Sequence, residues 1–170
     1  MSVPDKAHTR VATVDDAEVI ARLLRDFNAE FGDPAPDQPW LSARVAELLR
    51  QGVTAVVLLE VAGEHAGLAL MRFRPSLWDA ADECYLAELY VSPPLRGRGL
   101  GRRLLTAAMH HASERGAVYM DLTTTNQDTA AMALYESVGF DRHERRGPDT
   151  VSYYYEIDLP AFLEIEPDTR

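Results

Sequence analysis

Residues 91–103 read Val-Ser-Pro-Pro-Leu-Arg-Gly-Arg-Gly-Leu-Gly-Arg-Arg and lie between a predicted strand and a predicted helix. Three glycines in this stretch let the backbone turn tightly and approach a ligand closely: Gly97, Gly99 and Gly101. The N–H groups at the start of the helix have no partner within the helix, and with the helix dipole they favour an anion. Four arginines add donors suited to phosphate: Arg96, Arg98, Arg102 and Arg103. The stretch therefore predicts a site for a phosphate-bearing ligand.

The spacing of these glycines differs from that of the two common nucleotide-binding loops. A Walker A loop ends in Gly-Lys-Ser/Thr, whereas Gly101 is followed by Arg102 and Arg103. A dinucleotide-binding loop carries G-x-G-x-x-G, whereas residues 97–101 give G-x-G-x-G. The alternative without a ligand is a glycine-rich turn with a solvated arginine face.

The composition indicates one soluble globular domain over residues 1–170. Of the 170 residues, 46% are hydrophobic and 26% are charged, and the formal net charge is −10. No apolar run is long enough to cross a membrane, and the first residues are polar. Without such a run or a signal-peptide stretch, a cytoplasmic location is expected. The acidic balance argues against nucleic acid or an anionic membrane as partner. The single cysteine, Cys84, permits neither an internal disulfide nor a thiolate metal site.

The order of the predicted elements indicates a mixed α/β domain. Hydrophobic periodicity predicts two helices that end at Gly32 and Gly52, and two later helices around residues 100–112 and 131–138. Strands are predicted at seven places: 9–12, 53–61, a second hairpin run through 73, 85–91, 117–124, 140–145 and 151–159. The expected architecture is a mixed central sheet of about six to seven strands with a central βαβ unit, flanking helices and a tail over 160–170.

Two motifs resemble those of the GCN5-related N-acetyltransferase (GNAT) superfamily. Residues 96–101, Arg-Gly-Arg-Gly-Leu-Gly, match the family signature R/Q-x-x-G-x-G/A and follow a strand that looks like the one before the family's pyrophosphate loop. Asn126 and residues 133–140, Ala-Leu-Tyr-Glu-Ser-Val-Gly-Phe, are similar to the family's second block. The resemblance covers about residues 9–158 and implies the GNAT fold.

The resemblance implies acetyl-coenzyme A as co-substrate, an amine as acceptor and no metal. By analogy, the backbone of residues 89–91 binds the pantetheine arm, and one of its amides meets the acetyl oxygen. The loop amides, with Arg96 and Arg102, hold the pyrophosphate, and Asn126 bonds the pantetheine arm. The implied coenzyme-binding residues are Leu89, Tyr90, Val91, Arg96, Gly97, Arg98, Gly99, Leu100, Gly101, Arg102 and Asn126.

The resemblance also suggests an acid for the reaction. Tyr135 stands where the family often places the general acid that protonates the departing thiolate. By periodicity alone, Tyr135 shares an apolar stripe with Leu134 and Val138, and packing is then its only role.

The base has two candidates. An alkylammonium of pKa about 10.4 must lose a proton before it attacks, at a cost on the order of 4–5 kcal/mol at pH 7. Glu88 lies on the strand beside the expected acetyl position, and Asp121 stands where ribosomal-protein N-acetyltransferases of the superfamily have a carboxylate. Each is equally well interpreted as an ordinary strand carboxylate, in which case water alone accepts the proton.

In the fold that the resemblance implies, the acceptor enters between the first two helices and the later strands. The first two helices and their connector, residues 32–39, are therefore expected to line this entrance. Four acids and three aromatic residues lie there: Asp26, Glu30, Asp33, Asp37, Phe27, Phe31 and Trp40. They favour a small cationic amine, although a merely solvated acidic surface fits the pattern equally well. The alternatives are a protein N-terminal or lysine acetyltransferase, a non-catalytic acyl-coenzyme A sensor and a structural domain. Because many relatives are dimers, a homodimer is an alternative to a monomer.

Overall fold

One mixed sheet of five strands runs through the part of the chain that the structure describes. In this computed structural model, the described residues are 7–143, 147–150 and 153–156. The strands follow one another in the sheet in chain order: β1 (Ala7–Val11), β2 (Thr54–Val61), β3 (Glu64–Pro75), β4 (Asp82–Val91) and β5 (Ala117–Asp121). Strands β1 to β4 pair antiparallel, whereas β5 pairs parallel to β4.

The helices lie where the periodicity predicts them. They are α1 (Ala17–Phe31), α2 (Gln38–Gln51), α3 (Leu100–Glu114) and α4 (Thr129–Ser137). Helices α1 and α2 end at Gly32 and Gly52, as predicted, because each glycine adopts a left-handed conformation, with φ of 73° and 74°. Helix α3 connects the parallel strands β4 and β5, which confirms the central βαβ unit. Among the described residues, no helix has both the length and the apolarity that a membrane span requires.

The core joins α1 and α2 to one face of the sheet. Its buried residues are Ala17, Ile20, Leu23, Val45, Ala46, Val56, Leu58, Leu68, Leu70 and Tyr90. Helix α3 buries a stripe of its own at helical spacing: Leu100, Leu104, Leu105, Ala108 and Ala112. Tyr90 of β4 belongs to the first of these two groups, and Ala87 packs against it, so the second half of β4 is fixed against α1 and α2.

The chain divides into two compact units, Met1–Leu134 and Tyr135–Arg170. The first unit contains all five strands of the described residues, together with α1, α2 and α3. The second begins within α4. The expectation of one domain over residues 1–170 stays a prediction.

The two strands predicted at 140–145 and 151–159 are not formed in their described parts. In residues 140–143, the Asp141 carboxylate accepts a hydrogen bond from the His143 N–H at 2.9 Å, and this local bond favours a turn. Residues 153–156 have no regular structure, and the rest of both segments and the predicted tail lie outside the described residues. The described chain therefore has five strands and not six or seven, whereas the mixed α/β class is confirmed.

Candidate functional site

A β-bulge in β4 determines where Glu88 lies. Leu86 lies opposite Met71 of β3, but Glu88 lies opposite Leu70, so Ala87 has no partner in the ladder. Side chains alternate between the faces of a strand, and the extra residue reverses that alternation. Leu70 belongs to the core cluster with α1 and α2, and the bulge therefore turns Glu88 towards these two helices.

The carboxylate of Glu88 is half-buried, and burial raises its pKa above the ordinary value of a glutamate. The positive charge of Arg72 acts in the opposite direction but is the smaller effect. No hydrogen bond or ion pair of the described residues involves the Glu88 side chain. A carboxyl group with a raised pKa in a partly desolvated position has the properties of a general base.

Before the bulge, the side chain of Cys84 lies on the opposite face of the sheet from that of Glu88. Cys84 lies opposite Phe73, and the Arg115 guanidinium sits over the Phe73 ring at 3.9 Å, beyond the end of α3. The Cys84 thiol is fully buried, and burial raises its pKa to about 11. It is therefore a packed, protonated thiol, and it takes no part in the candidate site.

Strands β4 and β5 separate before the site. Their parallel pairing ends with Tyr85 opposite Asp121, and the Tyr85 hydroxyl lies 3.1 Å from Thr123 Oγ1 just beyond it. From Leu86 to Val91, only β3 pairs with β4 in the described chain. The other edge thus offers backbone N–H and C=O groups to which an extended ligand can bind like an added strand. Leu89, Tyr90 and Val91, predicted to hold the pantetheine arm, lie on this part of β4.

The glycine-arginine loop connects β4 to α3 in the predicted way. Gly97 and Gly99 have φ of 73° and 76°, a left-handed conformation that side chains other than glycine rarely adopt. The first α-helical bond of α3 runs from the Arg103 N–H to the Gly99 carbonyl, so the N–H groups of residues 98–101 precede the helical ladder. This arrangement of outward N–H groups at a helix N-terminus is suited to a phosphate.

The other arginines of the loop lie at the same helix end. Arg98, Arg102 and Arg103 are exposed beside the start of α3. Gly101, in the first turn of α3, packs beside α4, because a Cβ there would be in ordinary van der Waals contact, at 3.4 Å, with Leu134 Cδ2. The loop therefore combines backbone N–H groups with cationic side chains, and its far side is fixed by packing.

Arg96, at the start of the loop, also contacts residues of α1 and β4. Its Nη1 and Nη2 each donate to one carboxylate oxygen of Glu30, both at 2.6 Å, and its Nε donates to the Val91 carbonyl at 2.8 Å. The guanidinium also lies over the Tyr90 ring, 5.8 Å from its centroid. The pairing lowers the pKa of Glu30 and raises that of Arg96. The Arg96 guanidinium is thus engaged with α1 and β4 in this structure.

The two candidate bases do not lie together. Asp121 Oδ1 is 3.4 Å from Arg74 Nη2, and the same guanidinium contacts Glu83 at 2.9 Å. Asp121 is opposite Tyr85, three residues before Glu88, which corresponds to about 10 Å along the strand. Asp121 therefore belongs to an ion-pair cluster at the start of β4, and Glu88 lies at the open edge.

The remaining predicted residues follow β5. Asn126 is exposed in the turn between β5 and α4, and Asp128 caps α4 by accepting from the Ala131 N–H at 2.9 Å. Tyr135 is the first residue of the second compact unit, where its ring lies 5.9 Å from that of Phe140. The catalytic role of Tyr135 stays a prediction. Among the described residues, no group of three or more His, Cys, Asp or Glu side chains could hold a metal ion.

Most of the acids predicted at the acceptor entrance already form an ion pair or cap a helix. Glu30 binds Arg96, Asp37 caps α2 by accepting from the Trp40 N–H at 2.8 Å, and Asp26 lies 3.6 Å from Arg22. The connector itself is fastened to α1, because Asn28 Nδ2 donates to the Pro34 carbonyl at 3.0 Å. The sequence did not indicate these contacts, since the Glu30–Arg96 pair joins residues 66 positions apart. The aromatic residues Phe31 and Trp40 remain exposed, at 60% and 56%.

Comparisons with known proteins show the family of the chain. The model of the acetyltransferase (GNAT) family matches residues 18–140. The uncharacterized N-acetyltransferase YjgM of Escherichia coli (strain K12) is 32% identical over 143 residues, and the match covers 81% of this chain and 84% of YjgM.

Two solved structures share the fold. An acetyltransferase structure from Arthrobacter sp. FB24 has a TM-score of 0.80 and 37% identity, and the match covers 88% of this chain and 95% of that chain. An aminoglycoside acetyltransferase from an uncultured soil metagenomic sample, in complex with sisomicin, has a TM-score of 0.72 and 19% identity, with 89% and 97% covered. Since the family model spans the loop, the bulge and α4, the chain belongs to the GNAT family and is an N-acetyltransferase.

Proposed function

We propose that the protein transfers an acetyl group from acetyl-coenzyme A directly to the amine of a small cationic acceptor, with Glu88 as general base. The observation that carries this proposal is the position of Glu88, which the bulge turns towards α1 and α2 beside the open edge of β4. A base is needed on the acceptor side, and the donor must lie within reach of it. The proposal requires no metal.

The residues fit the donor. When bound, acetyl-coenzyme A supplies an acetyl thioester. The open edge of β4 at residues 89–91 has backbone groups for an amide-containing arm, and the N–H groups at residues 97–101 lie ready for the pyrophosphate. Arg98 and Arg102 add positive charge at the same helix end, and Asn126 is proposed to bond the arm from the other side of the gap. A β4 amide directed at the acetyl oxygen stabilises the charge that develops there.

Two proton transfers complete the reaction. Glu88 accepts a proton from the acceptor nitrogen, directly or through one water, and its raised pKa brings its basicity closer to that of the amine. Tyr135 is proposed to give its phenolic proton to the departing thiolate. Asp121 is the less favoured base, because Arg74 already holds its carboxylate.

The acceptor side supports a small amine. Phe31 and Trp40 present exposed aromatic faces near the connector, and such faces attract cations. The aminoglycoside acetyltransferase with the same fold holds sisomicin, so this fold accommodates a small acceptor. Asp26, Glu30 and Asp37 already have partners within the protein. The exposed aromatic faces are therefore the main groups with which a cationic acceptor is proposed to interact.

A free-thiol assay over a panel of acceptors tests the proposal. The panel contains spermidine, sisomicin, free lysine and a short peptide with an unblocked N-terminus, and acetyl-coenzyme A binding is measured separately by calorimetry. We expect binding in all cases and thiol release with a cationic small molecule. Release only with the peptide indicates a protein acetyltransferase, and binding without any release indicates an acyl-coenzyme A sensor. Either result contradicts the proposal.

A further inference from the structure

The Glu30–Arg96 pair joins two parts of the site that the sequence keeps apart. Both oxygens of the Glu30 carboxylate accept from Arg96 at 2.6 Å, which is the two-pronged geometry of a strong ion pair. Arg96 is at the same time fixed to β4 through the Val91 carbonyl. Glu30 thus fastens the last turn of α1 to the start of the phosphate loop.

The same end of α1 holds the connector between α1 and α2. Asn28 donates to the Pro34 carbonyl at 3.0 Å, and Arg25 Nη1 donates to the Pro36 carbonyl. Aromatic contacts also join this end of α1 to β4, because the ring centroid of Phe27 lies 5.3 Å from those of both Tyr90 and Phe31. A shift at the Glu30 carboxylate therefore reaches the connector through the helix turn that carries Asn28.

We propose that Glu30 is a positioning residue through which coenzyme binding at the loop sets the position of the acceptor-side connector. The inference rests on the proposed function, since it requires an anionic coenzyme at the loop. Arg96 immediately precedes Gly97, so a pyrophosphate held by the N–H groups of residues 97–101 acts on the backbone that carries the partner of Glu30. The connector then changes its position only when the coenzyme is present.

Tryptophan fluorescence gives a direct readout. The chain has two tryptophans, Trp40 and Trp78. Trp40 lies in the first turn of α2, next to the connector, and its backbone N–H donates to Asp37. Trp78 is 87% exposed in the loop between β3 and β4. In a Trp78→Phe background, the emission of Trp40 therefore reports the connector alone. The probe added is acetyl-coenzyme A.

We expect acetyl-coenzyme A to change the Trp40 emission of the Trp78→Phe protein, and Glu30→Gln to abolish that change. The control is Glu18→Gln, which removes the same charge from the exposed first turn of α1 and should leave the response intact. Glu30→Asp keeps the carboxylate and should restore part of the response. Thermal unfolding of each variant verifies that it is folded.

Kinetics provide the second readout. In Glu30→Gln, we expect the KM of the best amine of the panel to rise about five- to tenfold, a typical coupling between two sites, and the Kd of acetyl-coenzyme A to lose its dependence on the amine by the same factor. If acetyl-coenzyme A changes the Trp40 emission of Glu30→Gln as much as that of its parent, or if the acceptor KM is unchanged, the coupling through Glu30 is wrong. The proposed acetyl transfer is not affected by either result. Lack of calorimetric binding of acetyl-coenzyme A to the parent overturns the proposed function and the coupling with it.

Discussion

Glu88 lies opposite Leu70 in the β3–β4 ladder because one extra residue, Ala87, displaces the register just before it. Had the strand continued regularly, Glu88 would share the face of Cys84 and Leu86. The bulge thus decides on which side of the sheet the only carboxylate of this part of β4 lies. The assignment of Glu88 as base has consequences for both activity and stability.

We expect Glu88→Gln to lower kcat about 10²-fold, the lower range for loss of a general base, and to remove the acidic limb of the pH–rate profile. The matched control is Asp121→Asn, the other candidate on a neighbouring strand, which should keep both the rate and the limb. If Asp121→Asn loses the acidic limb and Glu88→Gln keeps it, Asp121 is the general base and Glu88 is not.

The same substitution should make the protein more stable at neutral pH. Burial raises the pKa of Glu88 in the folded state, so the folded protein binds this proton more tightly than the unfolded chain does. The free energy of unfolding of the native protein therefore falls as the pH rises from the ordinary carboxyl pKa, about 4.3, through the raised pKa of the folded state. We expect Glu88→Gln to raise Tm at pH 7 and the difference to shrink below about pH 4. A lower Tm of the variant at pH 7 would contradict this sign.

For Tyr135→Phe, we expect a fall in kcat of about 10²-fold with loss of the basic limb of the pH–rate profile, because the phenolic proton is then missing for the thiolate. Since phenylalanine keeps the ring that lies beside Phe140, the variant should remain folded. Unchanged turnover would reduce Tyr135 to a packing residue.

Gly99→Ala should weaken acetyl-coenzyme A binding. An alanine at φ of 76° is strained by about 1–2 kcal/mol, and movement of the loop that relieves the strain misdirects its N–H groups. Each 1.4 kcal/mol of lost interaction corresponds to about tenfold in Kd by calorimetry. Gly52→Ala, at the end of α2 with φ of 74°, carries the same strain outside the loop. Its Tm should fall similarly while its Kd remains that of the native protein.

Asp16→Asn should destabilise the protein at pH 7 by about 2 kcal/mol, the range for a hydrogen bond to a charged partner. Asp16 binds both Nη atoms of Arg10, at 2.7 and 2.8 Å, and this pairing holds its pKa well below the ordinary value. The stabilisation is therefore present above about pH 3.9 and lost as the pH falls through the lower folded pKa. Urea unfolding from pH 7 to pH 2 should show the two proteins converging. Asp26→Asn, in a half-exposed pair with Arg22, is the control and should change little.

The local elements were predictable, and the long-range contacts were not. The glycine spacing predicted the loop, because the φ of Gly97 and Gly99 depends on neighbouring residues alone. The end of α1 at Gly32 was predictable for the same reason. In contrast, no pattern in the sequence indicates the bulge at Ala87, which exists only in the pairing of two strands.

The motif at Arg96 led to an incomplete description of that residue. The signature treats its side chain as part of a phosphate loop, but the guanidinium binds Glu30 of a helix 66 positions earlier. Such a pair depends on how α1 packs across the end of β4, which no short pattern contains. The predicted strand at 140–145 was wrong in its described part for a simpler reason, the local bond between Asp141 and the His143 N–H.

The burial of Cys84 makes the reaction easy to follow. Only the thiolate reacts readily with thiol reagents, and a fully buried thiol with a pKa of about 11 stays protonated and shielded at assay pH. Because this is the only cysteine in the chain, the native protein contributes almost no background to a colorimetric thiol titration. Released coenzyme A can therefore be counted continuously, without a cysteine-free variant.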